Sequence, residues 1–317
     1  MPIRKRKRNS YDINQSPLFR LKSKRKLAGI FDLPTQEIES LANRDDNYRE
    51  FVIGKASEKT RRIEEPKPHL ERVHRRLFTL LSRIEAPAYL HSGVNGKSYI
   101  SNAKAHLESS TAITLDIERF FPSTLGWHVF EFFKSTMECS DDVAALLTKL
   151  STVRGHVPTG SCLSQVIAFY AHKTMFDEIN ALAEENGFKM TCYVDDITIS
   201  GPDVGHSLLY KVRGILQRRG LKSKTKKEAV YRNGAAFQIT GTIIKGGGIF
   251  LPNRKHKVIH DEVLKILQIL PLEERPKQIE KTIGRIIAAT LLDDGMNKWL
   301  PLLRQHNINV IRRLRKQ

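Results

Sequence analysis

The stretch from Thr191 to Ser200, TCYVDDITIS, constrains the fold more than any other part of the chain. Apolar residues alternate on both sides of two acids, Cys192 and Val194 before them, Ile197 and Ile199 after. A period of two marks strands with a buried face. Asp is depleted in strands and adjacent carboxylates repel, so an unbroken strand through Asp195 and Asp196 is disfavoured. A strand–turn–strand hairpin resolves the conflict by placing both acids at its tip, facing water or a cation. An ordinary β-turn also accepts Asp. A second acid in a like setting argues for more than a turn, because Asp116 ends the strand pattern AITLDI (112–117). Two strands that deliver carboxylates to one edge make a site for two Mg²⁺ ions. Mg²⁺ takes one or two carboxylates, several waters and substrate phosphates. Such ions, about 4 Å apart, activate an attacking oxygen and stabilise a leaving one in phosphoryl transfer.

The other patterns are mixed. PKPHLERVHRRLFTLLSRI places Leu70, Val73, Leu77, Leu80 or Leu81, and Ile84 at helical spacing, with arginines opposite. A short helix is expected from Pro34 and Thr35 to Leu41, and longer ones over 126–138, 141–151, 162–186 and 204–219. FQITGTIIKGGGIFLP reads as a hairpin with its loop at Gly246–Gly248, and 255–317 as helices. Helices around a few short β pairs define an α+β class. At 317 residues, 40% of them hydrophobic, the chain has core enough for one multilobed fold or two domains.

Charge points to the partner. Lys and Arg number 53 against 34 Asp and Glu, a formal +19. An excess of that size favours a polyanion, nucleic acid before membrane. It is clustered: ten Lys/Arg fall in residues 1–26, mainly RKRKR (4–8) and KSKRK (22–26), and RRLRK (312–316) lies at the other end. Residues 1–26 are expected to be polar and mobile. No apolar run approaches the ~18 residues of a membrane span, and no apolar h-region follows the basic start. Cys139, Cys162 and Cys192 lie far apart with no CxxC, as reduced thiols in a cytoplasmic protein would.

YVDD (193–196) with DxxxFF upstream (116–121) resembles the palm of a reverse transcriptase, and the resemblance extends in order over about 55–245. RRIEEP (61–66) and HSGVNGKS (91–98) resemble the two fingers motifs, LDIERFFPS (115–123) motif A and VPTGSCLSQ (157–165) motif B. YVDD is motif C, GLKSKTKK (220–227) resembles motif D, and QITG (238–241) lies where palm passes to thumb. Asn102-Ala103-Lys104-Ala105-His106 matches the NAxxH signature of retron reverse transcriptases, and Ile239-Thr240-Gly241 resembles their VTG triplet. Motif B departs from the family's PQG with Pro158-Thr159-Gly160, and Gln165 stands for a proline. Lys224 stands where motif D usually has Asn.

The resemblance implies a right-hand polymerase with an antiparallel palm sheet that carries the acids. Its parts would be a basic N-terminal extension (1–50), fingers (51–110), palm with interleaved finger elements (111–235), and thumb with a basic tail (236–317). It implies Asp116 and Asp195 as principal ligands of two Mg²⁺ ions, Asp196 as auxiliary acid and the Ile117 backbone completing a metal shell. Phe121, five residues past Asp116, takes the steric-gate position that excludes a ribose 2′-OH, while Phe120 is core. Arg62, less so Lys55 or Lys59, would hold the triphosphate; Pro158, Thr159 and Gly160 would line the nucleotide pocket; and Lys226 or Lys227 would act near the leaving pyrophosphate. Asn102 and His106, four apart and so on one helix face, would hold RNA beside the palm, with Thr240 and Gly241. The tail, Arg312, Arg313, Arg315 and Lys316, would help choose the cognate hairpin. The implied partners are a structured non-coding retron RNA, the branched msDNA copied from it by priming on a 2′-OH, dNTPs, and an effector protein of an anti-phage system, in a bacterial cytoplasm and away from membranes. Two alternatives stand: another bacterial defence reverse transcriptase, template-independent or group II-like, and a catalytically idle RNA-binding scaffold or antitoxin.

Two further motifs do not hold. GVNGKS (93–98) lacks the P-loop's first glycine, whose place falls on His91. His256 and His260 have zinc-like spacing but no HExxH glutamate and no evident third ligand.

Overall fold

In a computed structural model of the chain, residues 10–54, 60–232 and 235–314 are described. RKRKR (4–8), Lys55, Lys59, Arg315, Lys316 and the side chain of Arg313 lie outside the described part. The first elements are α1 (Lys24–Phe31), α2 (Thr35–Ala42), β1 (Tyr48–Ile53), β2 (Arg61–Pro66), α3 (Pro68–Leu81), α4 (Tyr99–Lys104) and β3 (Thr111–Asp116). Next come α5 (Phe120–Ser123), α6 (Gly126–Glu131), α7 (Asp141–Ser151), α8 (Ser164–Ala171) and α9 (Lys173–Glu185). Then follow β4 (Lys189–Tyr193), β5 (Asp196–Gly201), α10 (His206–Arg218) and β6 (Ala229–Tyr231). The last are β7 (Phe237–Ile239), β8 (Thr242–Lys245), β9 (Gly248–Phe250), α11 (Asn253–Leu264), α12 (Arg275–Thr290) and α13 (Trp299–Leu314). The mixture is α+β, as the periodicities predict.

The chain forms two compact units, one from the segment ending at Ser98 with Thr111–Val230, the other from Tyr99–Ser110 with the segment from Tyr231 onward. In the first, a sheet of order β4-β5-β3-β6 holds the centre. β5 pairs antiparallel with both β4 and β3, in the register Cys192↔Ile197 and Leu115↔Ile197. Ala112, Ile113, Leu115, Ile197 and Ile199 are all within 1% of full burial. A strand covered on both faces needs the near-continuous apolar run that AITLDI supplies. α9 packs on β4, and α6 on α7 and α8. Separately, β1 and β2 form an antiparallel hairpin. It leads into α3, where Pro68 stands at the first turn and Leu70, Val73, Leu77, Leu80 and Leu81 are buried.

Three expectations change. Residues 10–26 are not a mobile arm: Leu18 and Leu21 join the main core, and Ser23 caps α1 by accepting a hydrogen bond from the Lys26 amide. Apolar side chains between the lysines anchor the segment while the charges stay outside. The helix expected over 162–186 breaks into α8 and α9 at His172, whose buried Nε2 lies 3.2 Å from Thr124 Oγ1. The apolar pattern runs through that break, so periodicity does not signal it.

In the second unit FQITGTIIKGGGIF forms a three-stranded meander, β7-β8-β9, where the sequence pattern predicts one hairpin. Thr240 and Gly241 (φ 42° and 76°) make a first tight turn, Gly246 and Gly247 (φ 55° and 75°) a second. Two successive positive φ values are what a two-residue hairpin turn requires. α4 packs against β8. The unit's own core includes Leu251, Ile259, Val263, Ile266, Ile279, Ile286 and Leu303, from the meander's exit, α11 and the π-helical turn that continues it, α12 and α13. Residues 99–110 belong to this compact unit.

Candidate active site

The hairpin predicted from TCYVDDITIS forms. Tyr193 pairs with Asp196 across its tip, leaving Val194 and Asp195 as the turn. Asp196 also stands opposite Asp116 on β3, and the Ile117 amide donates to the Asp195 carbonyl at 2.9 Å. The register thus gathers the three acids at one end of the sheet. Burial, then the Asp116 charge, pushes Asp195 above the usual carboxylate range. Burial, then Asp195 and Asp116, pushes Asp196 up to about 6. Desolvation and like charge both disfavour the ionised forms.

Two lysines offset part of that charge. Lys224 and Lys227 each form an ion pair with a different oxygen of the buried Asp116 carboxylate, and the Lys224 amide donates to the Asp116 carbonyl at 2.8 Å. The hydrogen bond to Asp116 raises the Lys227 ammonium above its ordinary value. Lys226 is exposed and makes no such pair, so of the two lysines named for the leaving group the structure brings Lys227 to the acids. The loop is itself pinned by Glu228, which accepts from Arg213 and Ser223. Among the described residues no three His, Cys, Asp or Glu side chains stand as a ready ligand cluster. The donor chemistry nevertheless fits a hard cation: three carboxylates, no sulfur or imidazole, and negative charge only partly neutralised.

Thr159, which stands where the family has Gln, is stitched to β2. Its Oγ1 donates to the Arg62 carbonyl at 2.8 Å and accepts from the Glu64 amide at 3.2 Å. Gly160 is obligatory at this contact: a Cβ there would lie 2.7 Å from Ile63 Cγ2 and 2.8 Å from the Glu64 carbonyl oxygen. Pro158 is buried, and its carbonyl accepts from Ser164 Oγ at 2.5 Å. Beneath Thr159 lies a network that sequence reasoning missed. Glu64, 3% exposed, accepts from Arg154 at 2.6 Å and meets His156 Nε2 at 3.1 Å. Arg154 also pairs with Glu50, which in turn holds Arg62. RRIEEP shows the acid but not its partners about 90 residues away.

The remaining predicted residues divide. Phe120 is buried against Phe176 and His172, and Phe121 is half-buried beside it. Asn102 and His106 are 1% and 0% exposed, and α4 ends at Lys104, so the shared helix face expected for them does not exist. Asn102 Nδ2 instead donates to Thr240 Oγ1 at 3.4 Å, and Thr240 Oγ1 to the Tyr99 carbonyl at 3.3 Å. Buried in this way, Asn102 braces the Thr240-Gly241 turn. Arg312 is exposed on α13. His256 lies 3.5 Å from Asp293, and among the described residues no third ligand is assembled around it.

No protein-family model matches the chain. The retron Se72 reverse transcriptase of Salmonella heidelberg is 32% identical over 63% of the chain and 56% of its own length. The retron Mx65 enzyme of Myxococcus xanthus is 25% identical over 85% of the chain and 64% of its own. For the retron Ec86 enzyme of Escherichia coli the values are 23%, 69% and 70%. The chain therefore spans little more than half of the Salmonella relative and under two thirds of the Myxococcus one. A foamy viral protease–reverse transcriptase in complex with an RNA/DNA hybrid is a loose structural likeness, with a TM-score of 0.43 and 16% identity, covering 76% of this chain and 27% of that one. The resemblance to retron-type reverse transcriptases, first carried by the motif order, is thus borne out by several curated retron enzymes.

Proposed function

We propose that the chain is an RNA-directed DNA polymerase of the retron type. One observation carries the reading: the β3–β5 register sets Asp116 opposite Asp196, with Asp195 on the adjoining turn, inside seven motifs in reverse-transcriptase order. Asp116 and Asp195, with Asp196 auxiliary and the Ile117 backbone beside them, would hold two Mg²⁺ ions. Bound there, the ions would activate a primer hydroxyl and stabilise the departing pyrophosphate. Lys224 and Lys227 pair with Asp116 in place of a metal ion, and Lys227 would also serve the leaving phosphate. Phe121 is the gate against ribonucleotides. Thr159 fixes β2 to motif B, and Arg62, two residues before the anchored Glu64, is the candidate triphosphate ligand.

The partners follow from charge and chemistry: dNTPs, and a structured RNA held by phosphate contacts that a +19 chain supplies. Within this reading the product is msDNA joined to its template RNA through a 2′–5′ branch, in a defence system with an effector protein. Among the described residues no helix is long and apolar enough to cross a membrane.

Primer extension on a generic RNA template with dNTPs and Mg²⁺ tests the activity. DNA synthesis by the parent chain, absent on chelation, supports it; RNA binding without synthesis would instead favour the idle scaffold. Nucleic acid recovered with the protein made from its native locus tests the retron type. A species that survives denaturation and shortens with RNase or debranching enzyme supports it, and purely linear DNA refutes it.

A further inference from the structure

The turn that carries Asp195 is strained. Val194 has φ 60°, a left-handed value that a β-branched residue seldom adopts and that hairpin turns ordinarily assign to Gly or Asn. Such a conformation persists only where the surroundings over-determine it. Strand pairing of Tyr193 with Asp196 and the Ile117 amide on the Asp195 carbonyl supply two constraints. A third comes from outside the sheet: the Val194 amide donates to Ser92 Oγ at 2.8 Å.

Ser92 is placed for this contact by its own segment. The Cys192 amide donates to the Tyr89 carbonyl at 2.8 Å, and the His91 amide to the Cys192 carbonyl at 2.9 Å, so residues 89–92 run along β4 at the edge of the sheet. Lys97 Nζ gathers the loop by donating to the Ala88 and Leu90 carbonyls at 2.6 and 2.8 Å. Gly93 (φ 67°) then passes so close to Gln165 that a Cβ would lie 2.7 Å from its Nε2. Ser92 is 4% exposed, so its hydroxyl is largely shielded from bulk solvent.

We propose that Ser92 is a positioning residue for the catalytic turn: its hydroxyl fixes the Val194 amide and thereby the height at which Asp195 is presented. The inference rests on the proposed function for its catalytic consequence, but the brace itself does not. HSGVNGKS, which fails as a P-loop, is in this account the support of the acid-bearing hairpin.

The test compares Ser92→Ala, Ser92→Thr and Ser92→Ala with Val194→Gly. Without the hydroxyl the turn relaxes, and kcat for primer extension should fall about 10- to 100-fold while the KM for dNTP stays within about twofold. Thr keeps the acceptor and should retain most of the rate. Gly adopts φ 60° freely, so Val194→Gly should return at least about tenfold to the Ser92→Ala protein. Hydrogen exchange at the Val194 amide, which needs no activity, should be slow in the parent and Ser92→Thr and fast in Ser92→Ala. Equal protection in Ser92→Ala, or no recovery from Val194→Gly, would overturn the proposal. A parent that makes no DNA would refute the proposed function, and the exchange rates would still decide the brace.

Discussion

Two hairpins of the first unit bury acids at or near their ends, and they treat them in opposite ways. Glu64 on β2 is fully partnered: Arg154, His156 and the Thr159 amide surround its carboxylate. Asp195 and Asp196 at the β4–β5 turn have neither an ion pair nor a cationic side chain bonded to them among the described contacts, and both are held above the normal carboxylate range, Asp195 by burial and the Asp116 charge, Asp196 by burial and the charges of Asp195 and Asp116. A compensated buried charge fixes geometry; an uncompensated one is a standing demand for a cation. The first is the mark of a joint, the second of a site.

The sharpest break in that contrast is expected from Asp195→Asn. It keeps the size, removes the charge that attracts metal, and should lower DNA synthesis by on the order of 10³-fold or more, with folding intact. Unchanged extension rates would remove the two-metal assignment.

Glu64→Ala should behave oppositely. It leaves Arg154 and His156 facing a vacancy, and the half-exposed Arg154 limits the damage to about 2 kcal/mol, read as a lower urea midpoint. A variant as stable as the parent would mean that the network is ornamental and the contrast false.

Asp196→Asn should stabilise the metal-free protein at pH 7.5, by on the order of 1 kcal/mol. The sign follows from the raised value: with a folded pKa of about 6 against an ordinary 3.8, the native state binds the proton more tightly. Stability from this group is greatest at or below pH 3.8, declines as pH rises through 6, and is then constant. The gap between variant and parent should therefore open between pH 4 and 6, in denaturant curves taken across that range. A gap independent of pH would show that Asp196 is not strained by ionisation.

The smallest effect is expected from Lys224→Met. Removing one of the two ammonium groups on Asp116 should tighten Mn²⁺ binding several-fold, measured by electron paramagnetic resonance without nucleotide or template. Weaker binding would mean that Lys224 supports the metal site instead of competing for it.

The acid-bearing hairpin was legible because alternation interrupted by two adjacent acids leaves few alternatives, and Asp116 was legible because a strand ended on it. α3 and α7 were legible because their apolar faces repeat at helical spacing over three or four turns. The break at His172 was not, since the apolar pattern runs through it. Nor was the packing of residues 10–26, where dense positive charge hides the leucines that anchor the segment. The NAxxH and ITG matches were visible as words, but the contact between them, the buried Asn102 amide on Thr240, was not.

By itself the sequence determined what is local or additive: which segments can be strands or helices, the turns at Asp195 and at Gly246–Gly248, the excess of positive charge, and three acids at the ends of apolar strands. Tertiary structure decided the pairings: Thr159 with β2, Glu64 with Arg154 and His156, Lys224 and Lys227 with Asp116, Ser92 with Val194. The partners lie from 90 to 111 residues apart in these contacts. A buried polar group takes whichever complementary group the fold brings within about 3 Å, and neither periodicity nor composition encodes that choice.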